Sequence, residues 1–136
     1  MKVILCLDDR GGMMFNHRRQ SRDREVIKDI WDMIGDQPLF MNSYSASLFS
    51  EKSDQLRIDE NFLENAGRND WCFVEDRTLL PLEGRINEVV LYRWNRRYPF
   101  DMKTDIDPPS QGFSLCESME FAGFSHEKIT KEIYRR

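Results

Sequence analysis

Lys2-Val3-Ile4-Leu5-Cys6-Leu7-Asp8-Asp9-Arg10-Gly11-Gly12 decides how the rest of the chain is read. From Val3 to Leu7 the run is apolar without interruption, the pattern of a strand covered on both faces. Asp8-Asp9 ends it, and Gly11-Gly12 supplies the backbone freedom of a turn. A strand buried on both sides requires a layer above and a layer below, so this segment implies a layered α/β domain. The same run is too short for a signal-peptide core or a bilayer span. Met13-Met14-Phe15 has no helical spacing and reads as a loop leaning on the core.

The layer on one side is supplied by Ser21 to Met33. Val26, Ile27, Ile30, Trp31 and Ile34 fall on one stripe at helical spacing. Ser21 is the expected N-cap, Asp23 and Glu25 fall in the first turn, and Gly35 is the expected terminator. Pro38 opposes continuation. Leu39-Phe40-Met41 reads as a short strand, with Asn42 and Ser43 capping a second helix that ends near Phe49. Ser50 to Asn69 reads as a loop with one short helix. Trp71 to Val74 and Val89 to Tyr92 read as buried strands, the second running on into Arg93–Tyr98. Phe113 to Phe121 reads as a strand and Gly123 as a turn. Lys128 to Tyr134 fits a strand or a helix equally. Helices between the early strands and successive strands late in the chain predict a mostly parallel central sheet with a C-terminal antiparallel hairpin.

The totals agree with one domain over residues 1–136. The chain is 40% hydrophobic and 32% charged, with 24 acids against 20 bases. That is a globular composition, and a net charge of −4 gives no global attraction to nucleic acid or anionic membrane. Cys6, Cys72 and Cys116 form an odd set without CxxC spacing, which excludes a disulfide framework and a zinc knuckle and fits a reducing cytoplasm. All three sit in apolar runs and read as inert packing. His17 and His126 are isolated, so no metal site is expected; Asp8-Asp9 and Asp105–Asp107 read as solvated turns. No nucleophile elbow or Walker glycine loop occurs.

The order of segments resembles the dihydrofolate reductase family. Pro38-Leu39-Phe40-Met41-Asn42-Ser43-Tyr44-Ser45 looks like that family's Pro-Val-Ile-Met-Gly-Arg-Lys-Thr segment. Pro81 to Tyr92 looks like its late passage of leucine, acid and hydrophobic strand, and Glu127 to Tyr134 stands where its last strand would be. The resemblance implies a three-layer dihydrofolate-reductase-like fold. It also implies that Asp23, at the start of the first helix, is the catalytic carboxylate that hydrogen-bonds a planar ligand. Arg19 and Arg22 would be counter-charges, and Phe15, Ser45 and Tyr92 would complete the ligand site.

The nucleotide half departs from that pattern. The family's Gly-Gly turn, whose N–H groups meet the cofactor phosphates, is replaced by Glu75-Asp76 after Trp71–Val74. Its Gly-Arg-Lys-Thr stretch is Asn42-Ser43-Tyr44-Ser45, where only the Ser45 hydroxyl is retained. The expectation is therefore a small planar or anionic ligand, a degraded NADPH site and no cofactor, with enzyme activity left open. The basic cluster Arg18-Arg19-Gln20-Ser21-Arg22-Asp23-Arg24 would border the cleft as an anion site. A second reading, from another class, is a non-catalytic interaction protein. Tyr92-Arg93-Trp94-Asn95-Arg96-Arg97-Tyr98, if extended, alternates rings and guanidiniums that could meet RNA or a protein partner. Ligand identity, oligomeric state and pathway are not encoded in these patterns.

Overall fold

The computed structural model describes residues 1–136, the side chain of Ser53 excepted. The chain opens with β1 (Lys2–Leu7), then β2 (Gly12–Phe15) and β3 (Arg18–Arg19). Met13-Met14-Phe15, expected as a loop, is therefore a strand. Asn16 and His17 both have positive φ (52° and 61°), which closes β2 and β3 into a two-residue hairpin whose turn twists with its strands. Next come α1 (Arg24–Ile34), β4 (Leu39–Met41) and α2 (Ser43–Ala46). Tight 3-10 turns follow over Ser47–Gln55, broken at Phe49 and Lys52. Then come β5 (Leu56–Ile58), α3 (Phe62–Asn65) and β6 (Trp71–Phe73). A 3-10 turn at Leu80–Arg85 leads into β7 (Glu88–Arg93), followed by β8 (Met102–Lys103), β9 (Ser114–Phe121) and β10 (Ile129–Arg135).

Seven strands make the main sheet in the order β5-β4-β6-β1-β7-β10-β9. The pairs from β5 to β7 are all parallel, while β10 runs antiparallel to both β7 and β9. The mostly parallel sheet with a C-terminal antiparallel hairpin is thus present. A second sheet, β3-β2-β8, stands beside it. Alternation along β1 divides the core. Val3, Leu5 and Leu7 face a layer holding Met13, Met14, Phe62, Leu63 and Leu79. Ile4 faces the α1 layer, with Val26, Ile30, Trp31 and Ile34.

The helix α1 begins later than its stripe indicates. Its N-cap is Asp23, not Ser21, and the Asp23 carboxylate accepts from Glu25 N–H at 2.9 Å. It ends at Gly35, whose φ of 65° suits a residue without a Cβ and whose N–H bonds Trp31 O at 2.9 Å.

Three further expectations need correction. β7 stops at Arg93, and Asn95 turns the chain with φ 58°, so no strand of alternating rings and guanidiniums extends to Tyr98. Trp94 is buried in the same layer as Tyr92, which leaves neither ring free to stack on a base. Residues 50–69 include β5, which adds an edge strand where only a loop and helix were expected. Cys116 lies exposed on β9, whereas Cys72 is buried and its thiol is pushed up to about 12 by desolvation. Lys128–Tyr134, open between helix and strand by pattern alone, is resolved as β10, paired to β7 on one side and β9 on the other.

Candidate ligand cleft and its neighbouring clusters

The strands β1, β4, β6 and β7 end on one side of the sheet, and three polar clusters gather there. The first is an ion pair across two elements. Arg19 on β3 donates from Nε to Glu75 Oε2 at 2.8 Å and from Nη2 to Glu75 Oε1 at 3.1 Å. Burial of Arg19 opposes its charged form, but the Glu75 hydrogen bonds and charge outweigh this and hold its pKa raised. Its guanidinium lies over the Tyr44 ring, 4.4 Å from the centroid, and the Tyr44 hydroxyl accepts from Arg19 N–H at 2.9 Å. The buried Ser45 hydroxyl donates to Glu75 Oε1 at 2.7 Å. Asn42 caps α2 at Ser45 N–H and donates to Asp76 Oδ1 at 2.9 Å. Arg19 and Ser45, both expected to meet a ligand, are therefore engaged with Glu75.

The second cluster is built on Asp23. Its Oδ1 accepts from the N–H groups of Glu25 and Phe124, each at 2.9 Å. Its Oδ2 accepts from Ser125 N–H (2.8 Å), Ser125 Oγ (3.2 Å), His126 N–H (3.2 Å) and His126 Nδ1 (2.9 Å). Burial alone would raise this carboxyl's pKa. The bonds from Phe124 N–H, the His126 ring, Ser125 N–H and Glu25 N–H reverse that and hold it well below the usual carboxylate range. Asp23, expected to hydrogen-bond a planar ligand, has both oxygens engaged in a clamp that fastens the start of α1 to the β9–β10 connection. Gly123 is required here: a Cβ on it would stand 2.6 Å from Asp23 Oδ2 and 2.7 Å from the His126 carbonyl oxygen.

The third cluster surrounds Asp8, which is buried and accepts from the N–H groups of Arg10 and Gly12 (2.8 Å each) and Tyr98 (3.0 Å), and from Gln20 Nε2 (3.1 Å). Its expected solvated turn is instead an internal tie between β1, β2 and the segment after β7.

The open space lies beside these clusters. A groove of about 450 Å³ runs between α1 and the 47–55 turns, with Ile27, Trp31, Leu48 and Phe49 among its walls. It adjoins a second hollow of about 480 Å³ at the Asp23 end, where Arg22, Arg24, Ser47 and Ser125 meet. Arg22, Arg24 and Lys28 form no ion pair among the described residues, although Arg24 lies over the Phe124 ring at 3.5 Å. Arg22 is thus brought to the cleft, together with residues that spacing alone did not single out: Lys28, Leu48, Ser47 and Ser125.

Phe15 lies apart, half-exposed on β2, in a separate hollow with Asn16, Arg18 and Tyr98. Tyr92 meets no cleft: it has no exposed surface, and its hydroxyl donates to Asp29 Oδ2 on α1 at 2.6 Å. A central β7 residue facing α1 is core by position, which explains the correction.

Strand order, connection and layers together define an α/β fold of one recognisable type. No family model and no curated protein matches the chain in sequence. Among solved structures it is similar to dihydrofolate reductase from Enterococcus faecalis complexed with NADP(H) and RAB-propyl, with a TM-score of 0.69 at 9% sequence identity. The match covers 99% of this chain and 95% of that one. The chain therefore has a dihydrofolate-reductase-like fold from end to end, with little sequence in common with that structure. No helix among the described residues is long and apolar enough to cross a membrane.

Proposed function

We propose that this chain binds a small planar, anionic ligand in the groove between α1 and the 47–55 turns, with its NADPH site degraded. The observation that carries this reading is the placement of unpaired cations at one end of an apolar groove. Ile27, Trp31, Leu48 and Phe49 offer flat apolar contact, while Arg22, Arg24 and Lys28 stand at the end nearest Asp23. Asp32, Asp36, Glu51 and Lys52 also line the groove, so acids outnumber cations away from Arg22 and Arg24 and a ligand with one anionic group is favoured with that group toward the arginines. Asp23 supports the site from behind, by holding Phe124 and Ser125 against the start of α1.

Two features support the loss of the dinucleotide. Glu75 and Asp76 follow β6 after Val74 alone, and the next helical segment in the chain is only the 3-10 turn at Leu80–Arg85. The start of α2 stands at that strand end, but its Asn42 Nδ2 and Ser45 Oγ donate to Asp76 and Glu75, so the two acids take the place a phosphate would need. Arg19 and Arg77, the cations beside it, are already paired with Glu75 and Asp76. Free Cys6, Cys72 and Cys116 support a reducing, cytoplasmic setting.

The test is a fluorescence titration with 8-anilinonaphthalene-1-sulfonate, a planar aromatic anion. Saturable binding that is lost in Arg22→Glu/Arg24→Glu and retained in Arg97→Glu is the expected result. Binding indifferent to the α1 arginines would remove this reading.

A further inference from the structure

The His126 ring is fixed from several sides. Its Nδ1 lies 2.9 Å from Asp23 Oδ2, and an ionised carboxylate has no hydrogen to offer, so Nδ1 carries a proton, and in the neutral ring Nε2 is the nitrogen with the lone pair. The ring stacks on Trp94 with centroids 4.5 Å apart and planes 21° from parallel. Two hydroxyls reach that lone pair: Ser21 Oγ at 2.9 Å and Tyr98 Oη at 3.0 Å. A single in-plane lone pair accepts one hydroxyl hydrogen well, so when Ser21 donates, the Tyr98 hydrogen is free for another acceptor. Asp8 holds both neighbours of this pair in place, through Gln20 Nε2 and Tyr98 N–H. His126 and Asp23 are buried, whereas Ser21 retains solvent contact. Hydroxyl, imidazole and buried carboxylate thus stand in the order that activates a nucleophile, without the sequence motif that usually announces it.

We propose that Ser21 is a nucleophile for small activated acyl esters, with His126 as its base and Asp23 as the residue that positions His126. This goes beyond binding in the α1 groove and does not depend on it. Ser21 Oγ forms a bond to the acyl carbon as its proton passes to His126 Nε2. The ester C–O bond then breaks, and the leaving alcohol takes that proton. Water attacks the acyl-serine in the same way: one of its protons passes to Nε2, the bond from the acyl carbon to Oγ breaks, and Ser21 recovers the proton as the acid departs. The Tyr98 hydroxyl, released from Nε2 during attack, donates to the oxygen that gains charge. Arg22, exposed next to Ser21, favours an acyl group that carries a carboxylate.

A fluorophosphonate probe tests this without knowledge of the natural ester. Ser21 Oγ attacks phosphorus, fluoride leaves, and the serine proton goes to His126. Peptide mapping is expected to find the adduct on Ser21, lost in Ser21→Ala and formed about tenfold or more slowly in Tyr98→Phe, both checked for native circular dichroism. In Ser21→Cys, iodoacetamide is expected to alkylate the new thiol faster than exposed Cys116 in the same molecule. A folded protein with no adduct on Ser21, or a new thiol no more reactive than Cys116, overturns the proposal.

Discussion

Arg19 Nε and Glu75 Oε2 lie 2.8 Å apart although 56 positions separate them in the chain. The pair joins the small β3-β2-β8 sheet to the end of β6 in the main sheet. Glu75 also accepts the Ser45 hydroxyl, so one carboxylate satisfies groups from two other elements. Removing it leaves a mostly buried guanidinium and a buried hydroxyl without partners. Glu75→Ala is therefore expected to cost about 3–5 kcal/mol, read by urea unfolding. A loss under about 1 kcal/mol would place the pair among weak surface bridges instead.

Asp23 sets the acid limit of stability. Its carboxyl is held below its ordinary range in the folded chain, so its contribution is present in full above the unfolded value of about 4 and is lost as pH falls through and below it. The unfolding midpoint is expected to fall between about pH 5 and pH 2. Sequence position alone, at an exposed helix start, implies that Asp23→Asn would spare stability. Six hydrogen bonds on two oxygens imply the opposite. Asp23→Asn is expected to cost about 3 kcal/mol or more at neutral pH and to flatten the acid limb. An unchanged acid limb in a folded Asp23→Asn protein would contradict this account.

Gly123 provides an independent check of the same clamp. A Cβ there meets Asp23 Oδ2 and the His126 carbonyl well inside van der Waals contact. Because one of these neighbours is backbone, relief requires the 123–126 loop to move. Gly123→Ala is expected to lower stability by about 1–3 kcal/mol, with the loss much reduced in an Asp23→Ala background, as a double-mutant cycle would show.

In the core, Ile30 has no exposed surface and packs in the layer with Ile4 and Val90. Ile30→Ala is expected to cost about 2–5 kcal/mol in thermal or urea unfolding. A melting temperature equal to that of the parent protein would mean that α1 does not pack on the sheet through this residue.

Continuous apolar runs made the central strands legible, because β1, β6 and β7 are covered on both faces and leave no polar position to confuse the period. The α1 stripe was legible for the same reason. Short elements were not: β2, β3 and β8 owe their pairing to the Asn16-His17 turn and to one another, and Asn16, though at home at positive φ, lacks the following glycine that marks a hairpin in sequence. The surroundings of the proposed site residues were not legible. Asp23 marks the start of α1, but its partners lie about a hundred residues away in the β9–β10 connection, a proximity no local pattern encodes. Tyr92, on an interior strand and facing α1, is core by position. His126, isolated in sequence, gains its chemistry only when folding brings Ser21, Asp23, Trp94 and Tyr98 around it.

The end of β6 governs the remaining expectation, on nicotinamide dinucleotides. A pyrophosphate placed there meets Glu75 and Asp76, and each carboxylate costs on the order of 1 kcal/mol or more at a partly exposed site. No glycine N–H groups offset that cost, and the start of α2 beside it is already engaged, Asn42 with Asp76 and Ser45 with Glu75. Arg19 does not compensate, because its guanidinium is shared between Glu75 and the Tyr44 ring. NADPH is therefore expected to bind no tighter than the millimolar range, and dihydrofolate is not expected to be reduced above background. Nicotinamide fluorescence measures the first and loss of NADPH absorbance the second. Releasing Arg19 with Glu75→Gln is expected to tighten NADPH binding if the mutant folds, since it removes one negative charge and frees one cation at the same place. Micromolar affinity in the unaltered chain, or NADPH oxidation that requires dihydrofolate, would show that phosphates reach this fold by another approach, with the Arg18–Arg24 cluster the basic surface from which to search for it.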